Sequence, residues 1–395
     1  MLARLAQRLL TEVDARALAK FAWNFGARGL AGFWRFRRRL ARGENFPAVL
    51  FVSLTTRCNL RCQGCWVSVD GPVQSVAPAD LHRLIAAGKR QGCYFYGLLG
   101  GEPLLYDPLW DVLARHRDCY FQLFTNGTLL TADDARRMRR LGNVTPLVSI
   151  EGLAEVSDER RGGRDVYRKA LEALEHCRRE RLLLGVATSL CRSNLDELAT
   201  DSFVRDCVRR GVHYLWYYIY RPAGALPAPE LALSGEQILR LRQFLVEART
   251  WASLMIVDAY WDHLGRGLCP AATGVSYHVN PWLDVEPCPP IQFAVENLAG
   301  APPVETINRS ALLRDFRALA AGTSRGCILL ERPDLLRHFL LDRGARDTSG
   351  RGTGYDELAA ACPHPSHGSV EAIPERHWLY RFAKKHWFFG FGAYG

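Results

Sequence analysis

With 395 residues, 48% of them hydrophobic and 23% charged, the chain can bury a large core and is long enough for two domains, which excludes a disordered or fibrous protein. Its 12 cysteines are thinly spread and follow no secretory leader, so a small disulfide-stapled secreted scaffold is excluded and metal-cluster ligation in a reducing cytoplasm fits better. The formal charge of +10 sits at the ends: residues 1–45 hold ten Lys and Arg against Glu12, Asp14 and Glu44, and residues 376–395 hold four against none.

The amino-terminal 45 residues read as a basic amphipathic helical region, with Leu2, Leu5, Leu9, Val13 and Ala17 at helical spacing and Arg4, Arg8, Arg16 and Lys20 between them. Gly26, Gly29 and Gly32 are expected to interrupt it before a second basic and aromatic piece carrying Phe33, Trp34, Phe36 and Arg35, Arg37, Arg38 and Arg39. No apolar stretch reaches the length of a membrane span, and the early arginines break any signal-peptide core. Such a segment suits the headgroup plane of an anionic bilayer, or equally a helix packed over one end of a catalytic domain. Nucleic acid is not an expected partner, because no recognised module accompanies the cations.

From Ala48 strand and helix patterns alternate. Strands are predicted at Ala48 to Leu54, Tyr94 to Leu99, Tyr120 to Phe124, Pro146 to Ile150, Leu182 to Ser189 and Val212 to Tyr220. Helices are predicted at Pro78 to Gln91, Pro108 to Arg117, Thr131 to Leu141, Asp165 to Arg179, Leu195 to Arg210 and Ser234 to Ala252. This order argues for an α/β fold with a parallel sheet and crossover helices.

After the first strand stand Cys58, Cys62 and Cys65, with three residues between the first pair and two between the second. Three thiolates on so short a loop can grip three irons of a [4Fe-4S] cube and leave the fourth open, whereas structural zinc and electron-carrying clusters usually close their shells. Gly100-Gly101-Glu102-Pro103 follows the second strand, Asn126 ends the third, and Ser149 ends the fourth, with Arg161 twelve residues on and Arg160 beside it. Glycines let backbone approach a ligand closely, and a guanidinium fork suits a carboxylate. A plain turn role for Asn126 and a core-packing role for Trp66, next to the third cysteine, remain open.

These motifs resemble those of the radical S-adenosylmethionine (SAM) enzymes. The resemblance implies a partial (β/α)6 TIM-type barrel over residues 46–255, with the active site at the strand carboxyl ends. It also implies a cluster on Cys58, Cys62 and Cys65 that binds SAM and cleaves it reductively to a 5′-deoxyadenosyl radical, fed by a reductant such as flavodoxin or ferredoxin. Trp66 would lie near the adenine, Gly100, Gly101, Glu102 and Pro103 near the amino group, Asn126 near the ribose or carboxylate, and Ser149 and Arg161 near the carboxylate. The family commonly has Asp where Glu151 stands, a departure given no functional weight.

Residues 256–365 change character. Cys269 and Cys288, with a hairpin expected between them, resemble the opening of a SPASM/twitch extension, which holds an auxiliary [4Fe-4S] cluster. Cys327 and Cys362 are the candidates to complete four ligands, with His364 and His367 as alternatives. The tight later cysteine cluster of a full SPASM domain is missing, so one auxiliary cluster is the most expected. Cys93, Cys119, Cys177, Cys191 and Cys207 read as small buried hydrophobes.

Residues 366–395 form a basic aromatic tail with Trp378, Leu379, Tyr380, Phe382, Trp387, Phe388, Phe389, Phe391 and Tyr394, which must plug into the core or enter an interface. The two basic ends favour a lipid or isoprenoid substrate at the inner membrane face; a peptide or protein is the alternative, although the region before Ala48 is too short for the winged peptide-recognition domain of many maturases. A noncatalytic iron–sulfur carrier is a third reading, opposed by an intact SAM pocket.

Overall fold

The computed structural model describes residues 1–323 and 325–386. Alternation of apolar strands and amphipathic helices produces the expected parallel sheet. The helices α1 (Leu2–Glu12), α2 (Ala15–Phe21) and α3 (Arg28–Ala41), the last two joined by a π-helical turn, precede β1 (Val49–Ser53), α4 (Pro78–Arg90), β2 (Phe95–Leu99), α5 (Leu109–Arg115) and β3 (Tyr120–Thr125). Then come α6 (Ala132–Leu141), β4 (Val144–Ser149), α7 (Ala154–Arg161), α8 (Val166–Arg179), β5 (Gly185–Leu190), α9 (Leu195–Leu198), α10 (Asp201–Arg209), β6 (Tyr214–Ile219), α11 (Gly235–Trp251) and β7 (Met255–Val257). Boundaries follow local chemistry: Thr131 and Asp134 form a capping box at the start of α6, and Gly142 ends it in the left-handed region.

The sheet runs β7-β6-β5-β4-β3-β2-β1-β8-β9, where β8 is Ser276–Val279 and β9 is Val285–Glu286. Every neighbouring pair is parallel except β8 with β9. It is the partial TIM-type barrel, wider than the six strands expected. β7 has only three residues, too few to show a period, and straddles the expected boundary at residue 255. β8 and β9 make the expected hairpin between Cys269 and Cys288, but β8 also pairs with β1, so the carboxyl-terminal region shares the barrel's sheet.

The amino-terminal helices close the end of the barrel where strands begin. Val13, Phe33 and Phe36 pack with Val49, Phe95, Tyr120, Leu183 and Val275. Gly32 does not interrupt α3; a Cβ there would stand 2.2 Å from Gly92 O, so its bare backbone allows the helix to lie on the turn before β2. Helices antiparallel to the strands end here with unpaired carbonyls. Arg8 donates to Val208 O, Val212 O and Ser253 O at 2.9–3.2 Å, Lys20 to Leu141 O at 2.6 Å, Arg28 to Asp118 O at 2.9 Å, and Arg39 to Phe46 O at 3.1 Å and to Gln91 O. Cations at these positions also oppose the negative ends of the helix dipoles. Much of the amino-terminal charge is thus a structural fitting, which weakens the lipid-substrate argument built on it.

Beyond β9 lie β10 (Phe293–Ala294), α12 (Pro303–Arg309), α13 (Ala311–Thr323), α14 (Ile328–Glu331), α15 (Pro333–Asp342), β11 (Arg346–Asp347) and α16 (Gly354–Ala360), around a core of their own that includes Ile291, Phe316, Ile328, Leu336 and Leu340. The last described helix, α17 (Trp378–His386), plugs into the barrel flank: Tyr380 Oη accepts from Ile256 N at 2.8 Å, and Lys384 reaches Asp258 at 3.1 Å. Trp387, Phe388, Phe389, Phe391 and Tyr394 lie outside the described residues.

Lys384 joins Arg242, Arg249, Asp258 and Glu375 in a wholly buried ion cluster. Burial opposes ionisation of Glu375, yet Arg249, Lys384 and Arg242 hold its pKa down at about 2. The stability it contributes is therefore full above its ordinary value of 4.5 and lost as pH falls towards about 2. Arg249→Met leaves two buried carboxylates short of a partner and should cost about 3–5 kcal/mol, read as a lowered denaturation midpoint; a loss below about 1 kcal/mol would show that Arg242 and Lys384 suffice.

Candidate active site

The carboxyl ends of β1 to β4 bring four loops to one edge of the barrel. Gly101 N donates to Thr55 O at 2.7 Å and Glu102 N to Arg57 O at 2.8 Å, laying the turn after β2 on the start of the cysteine loop. A Cβ at Gly101 would stand 2.2 Å from Arg57 O, so only glycine permits this contact. The Glu102 carboxylate accepts from Leu104 N at 3.1 Å, Thr125 Oγ1 at 2.8 Å and Asn126 N at 2.8 Å. Burial raises its pKa. Glu102 therefore ties two loops together, with its oxygens turned to protein donors. Pro103 opens the short 3₁₀ turn that follows. Asn126 is likewise engaged, donating to Asn59 Oδ1 at 2.9 Å and accepting from Thr128 N at 2.9 Å, as a turn residue does.

Cys58, Cys62 and Cys65 are all half-buried on this edge. Burial pushes the Cys58 thiol up to about 11 and the Cys65 thiol to about 12, and in both the neighbouring Cys62 adds to the rise. Thiols so placed lose their protons in exchange for a bound cation. Among the described residues no three donors converge closely enough to hold a single metal ion.

The loop is clamped from β4 and β6. Arg61 N donates to Arg161 O at 3.3 Å, Gln63 N to Arg160 O at 3.0 Å, and Gly64 N to Leu226 O at 2.7 Å. The two adjacent arginines divide the work. Arg160 lies over the Tyr220 ring at 4.7 Å and donates to Gln63 O at 3.2 Å. Arg161 places Nη1 3.4 Å from Cys62 Sγ and Nη2 3.2 Å from Glu151 Oε1. Ser149 is half-buried at the end of β4. Trp66 Nε1, Arg160 Nε and Arg161 Nε are buried without a hydrogen-bond partner. A set of donors in excess at the cysteine loop fits a ligand with a carboxylate and ring nitrogens, as SAM has.

In the carboxyl-terminal region Cys269, Cys288 and Cys327 come together. Burial raises the Cys269 thiol to about 11, with Cys327 adding to the rise, and raises Cys288 well above its ordinary value, with Cys269 and Cys327 adding to it. Cys362 is exposed, on the strand of chain that returns to α14 through His364 N and Leu330 O at 2.8 Å. His364 is half-buried, its Nδ1 beside Pro365 O at 2.9 Å. His367 is buried with both ring nitrogens engaged, Nε2 at 2.9 Å from Leu268 O and Nδ1 at 3.5 Å from Arg221. Cys93, Cys119, Cys177, Cys191 and Cys207 are buried, as small hydrophobes are.

Two residues at the site escaped sequence reasoning. Glu151, dismissed as a mild departure, carries Arg161, stands 4.0 Å from Arg160, and accepts from Ser189 N at 3.1–3.2 Å. A charge directly after a buried strand, ten residues before paired arginines, was the available signal. Arg351 donates to Trp66 O at 3.4 Å, Ser68 Oγ at 3.0 Å and Gln292 Oε1 at 3.1 Å, joining the carboxyl-terminal region to the residues after the third cysteine. Nothing in its local sequence marks this. Glu151→Gln, which keeps shape and removes charge, should weaken SAM binding to the iron-loaded protein about tenfold with iron content unchanged; unchanged affinity by calorimetry would give Glu151 a folding role only.

The family model described as the Radical SAM superfamily matches residues 52–197. Pre-heme d1 synthase of Dinoroseobacter shibae is 31% identical over 193 residues, covering 47% of this chain and 47% of that protein. PqqA peptide cyclase of Streptomyces rochei is 27% identical over 282 residues, covering 67% of this chain and 74% of that one. Streptococcus suis SuiB, solved with precursor peptide SuiA, superposes with a TM-score of 0.61 at 14% identity, over 72% of this chain and 70% of that one, a likeness of fold. The chain spans about half the length of the first curated relatives it matches. Residues 52–197, which carry the cysteine loop and most of the partial barrel, thus match the radical SAM superfamily, whose members use a [4Fe-4S] cluster and SAM.

Proposed function

We propose that this chain is a radical SAM enzyme that abstracts hydrogen from a peptide or protein substrate. The observation that carries the catalytic reading is the placement of Arg161 Nη1 3.4 Å from Cys62 Sγ, on the barrel edge that also holds Cys58 and Cys65. Cys58, Cys62 and Cys65 hold the cluster. Arg161, oriented by Glu151, and Ser149 receive the SAM carboxylate; the backbone of Gly100 and Gly101 receives its amino group, and Trp66 lies by the adenine. Glu102 and Asn126 fix the loops that carry these groups. When bound, cluster and SAM supply hydrogen-atom abstraction from an unactivated carbon, driven by a reductant such as flavodoxin or ferredoxin. The chain's own part is to hold the ligands, orient the carboxylate and keep water out, the last through Tyr220 and the Leu226 loop over the cysteines.

The extension, residues 256–365, is the auxiliary unit, with Cys269, Cys288 and Cys327 as cluster ligands and Cys362 as the candidate fourth. The peptide reading is supported by relatives whose names state peptide chemistry and by the SuiB complex with its precursor peptide. The lipid or isoprenoid reading stands second, because the amino-terminal basic helices that motivated it cover the end of the barrel opposite the cysteine loop.

Anaerobic reconstitution with iron, sulfide and 5′-deoxyadenosine measured tests this directly. About eight irons per chain are expected, four for each cube, with SAM cleavage by dithionite-reduced protein. Cys58→Ala, Cys62→Ala or Cys65→Ala should abolish 5′-deoxyadenosine release, and persistent release would overturn the assignment. Cys269→Ala should remove about four irons and spare the first cluster; an unchanged count would remove the auxiliary site.

A further inference from the structure

We propose that the outer face of the amino-terminal helices, Trp23, Leu30 and Trp34 with Arg37 and Arg38, docks on an anionic lipid bilayer. The inner face of α3, formed by Gly29, Gly32, Phe33, Phe36 and Arg39, is buried. The outer face of α3 and of the π-helical turn before it carries large apolar side chains in water: Trp23, in the turn, is 59% exposed, and Leu30 and Trp34, in α3, are 40% and 56% exposed. Residues 23, 27, 30 and 34 recur at helical spacing, so these side chains share one stripe, with Ala27 between them. The stripe has a firm base, because Arg28 lies 5.8 Å from the Trp23 ring while donating to Asp118 O at 2.9 Å.

Charge decides what covers it. The acidic residues of this segment are already matched, Glu12 by Arg8, Asp14 by Arg139 and Glu44 by Arg42. Among the described residues Arg4, Arg35, Arg37 and Arg38 stand in no ion pair. Uncompensated guanidinium groups next to exposed indoles match a surface with anionic headgroups above an apolar layer, where tryptophan rings settle at the boundary. A second copy of this chain is a poorer occupant: a two-fold contact brings the same patch against itself, and Arg37 and Arg38 would face their own likeness.

The stripe lies at the end of the barrel where strands begin. Docking there turns the cysteine loop away from the bilayer, towards water. The contact therefore recruits the enzyme to a surface without feeding it lipid, and it rests on the fold independently of the substrate assigned above.

The test is flotation of the full, cluster-loaded chain with phosphatidylcholine vesicles, with and without phosphatidylglycerol. Binding is expected only to the anionic vesicles and should fall as salt rises. Trp23→Ser with Trp34→Ser, and separately Arg37→Glu with Arg38→Glu, should each lower binding about tenfold or more while iron content and SAM cleavage persist. The charge-reversal pair alters exposed side chains only, so it decides the matter if the tryptophan pair fails to fold. Absence of binding by the unaltered chain, or equal binding by the charge-reversed one, overturns the proposal. So does a concentration-dependent dimer dissolved by Trp34→Ser, which would assign the stripe to a second copy.

Discussion

A buried guanidinium set against a sulfur is the interaction on which the catalytic edge depends. Arg161 touches Cys62, and burial would make a lone cation there costly; Glu151 across the strand end offsets that cost and fixes the fork's direction. Glu151 is itself placed by Ser189 N at the end of β5, and its carbonyl accepts from Asn194 at 2.9 Å. The position of one side chain in the cysteine loop is therefore set by β4 and β5 and by the turn that follows β5. A loop of three cysteines has little structure of its own, and neighbouring strand ends supply it.

The two ends of the barrel use polar atoms for opposite purposes. Where strands begin, carbonyls at the helix ends and in the loops leading into the strands are closed by Arg8, Lys20, Arg28 and Arg39, and an apolar layer seals the floor. Where strands end, side-chain donors are left in excess: Trp66 Nε1 and the Nε atoms of Arg160 and Arg161 are buried without partners. The closed end provides rigidity and the open end provides binding capacity. The same separation divides the basic amino terminus from the chemistry, so positive charge there speaks of packing and surface contact and not of substrate.

Three of the joints between the carboxyl-terminal region and the barrel differ in character. β8 continues the sheet beside β1, Arg351 reaches the residues after the third cysteine, and α17 is locked to the flank by the buried cluster of Arg242, Arg249, Asp258, Glu375 and Lys384. The two cysteine groups thus sit on one continuous framework, which is what electron movement between them would require of the protein.

Local signals were strong where the chemistry is local. The cysteine spacing, the glycines after β2, the strand and helix periods and the hairpin between Cys269 and Cys288 were all legible, because each depends on residues close in sequence. Pairing across distance was not. That β8 lies beside β1, that Gly32 of α3 admits Gly92 instead of breaking the helix, and that Lys384 neutralises buried acids were decided only when the chain closed on itself. Glu151 shows the boundary most clearly: its residue type was visible, but its value comes from Arg161 and Ser189, brought to it by strand ends that parallel pairing aligns. The amino-acid sequence determined which groups could ligate and which segments could pair, since those follow from side-chain type and period. Tertiary structure decided which charges are compensated and which are left to act, because compensation depends on distance in space, and separation along the chain does not determine it.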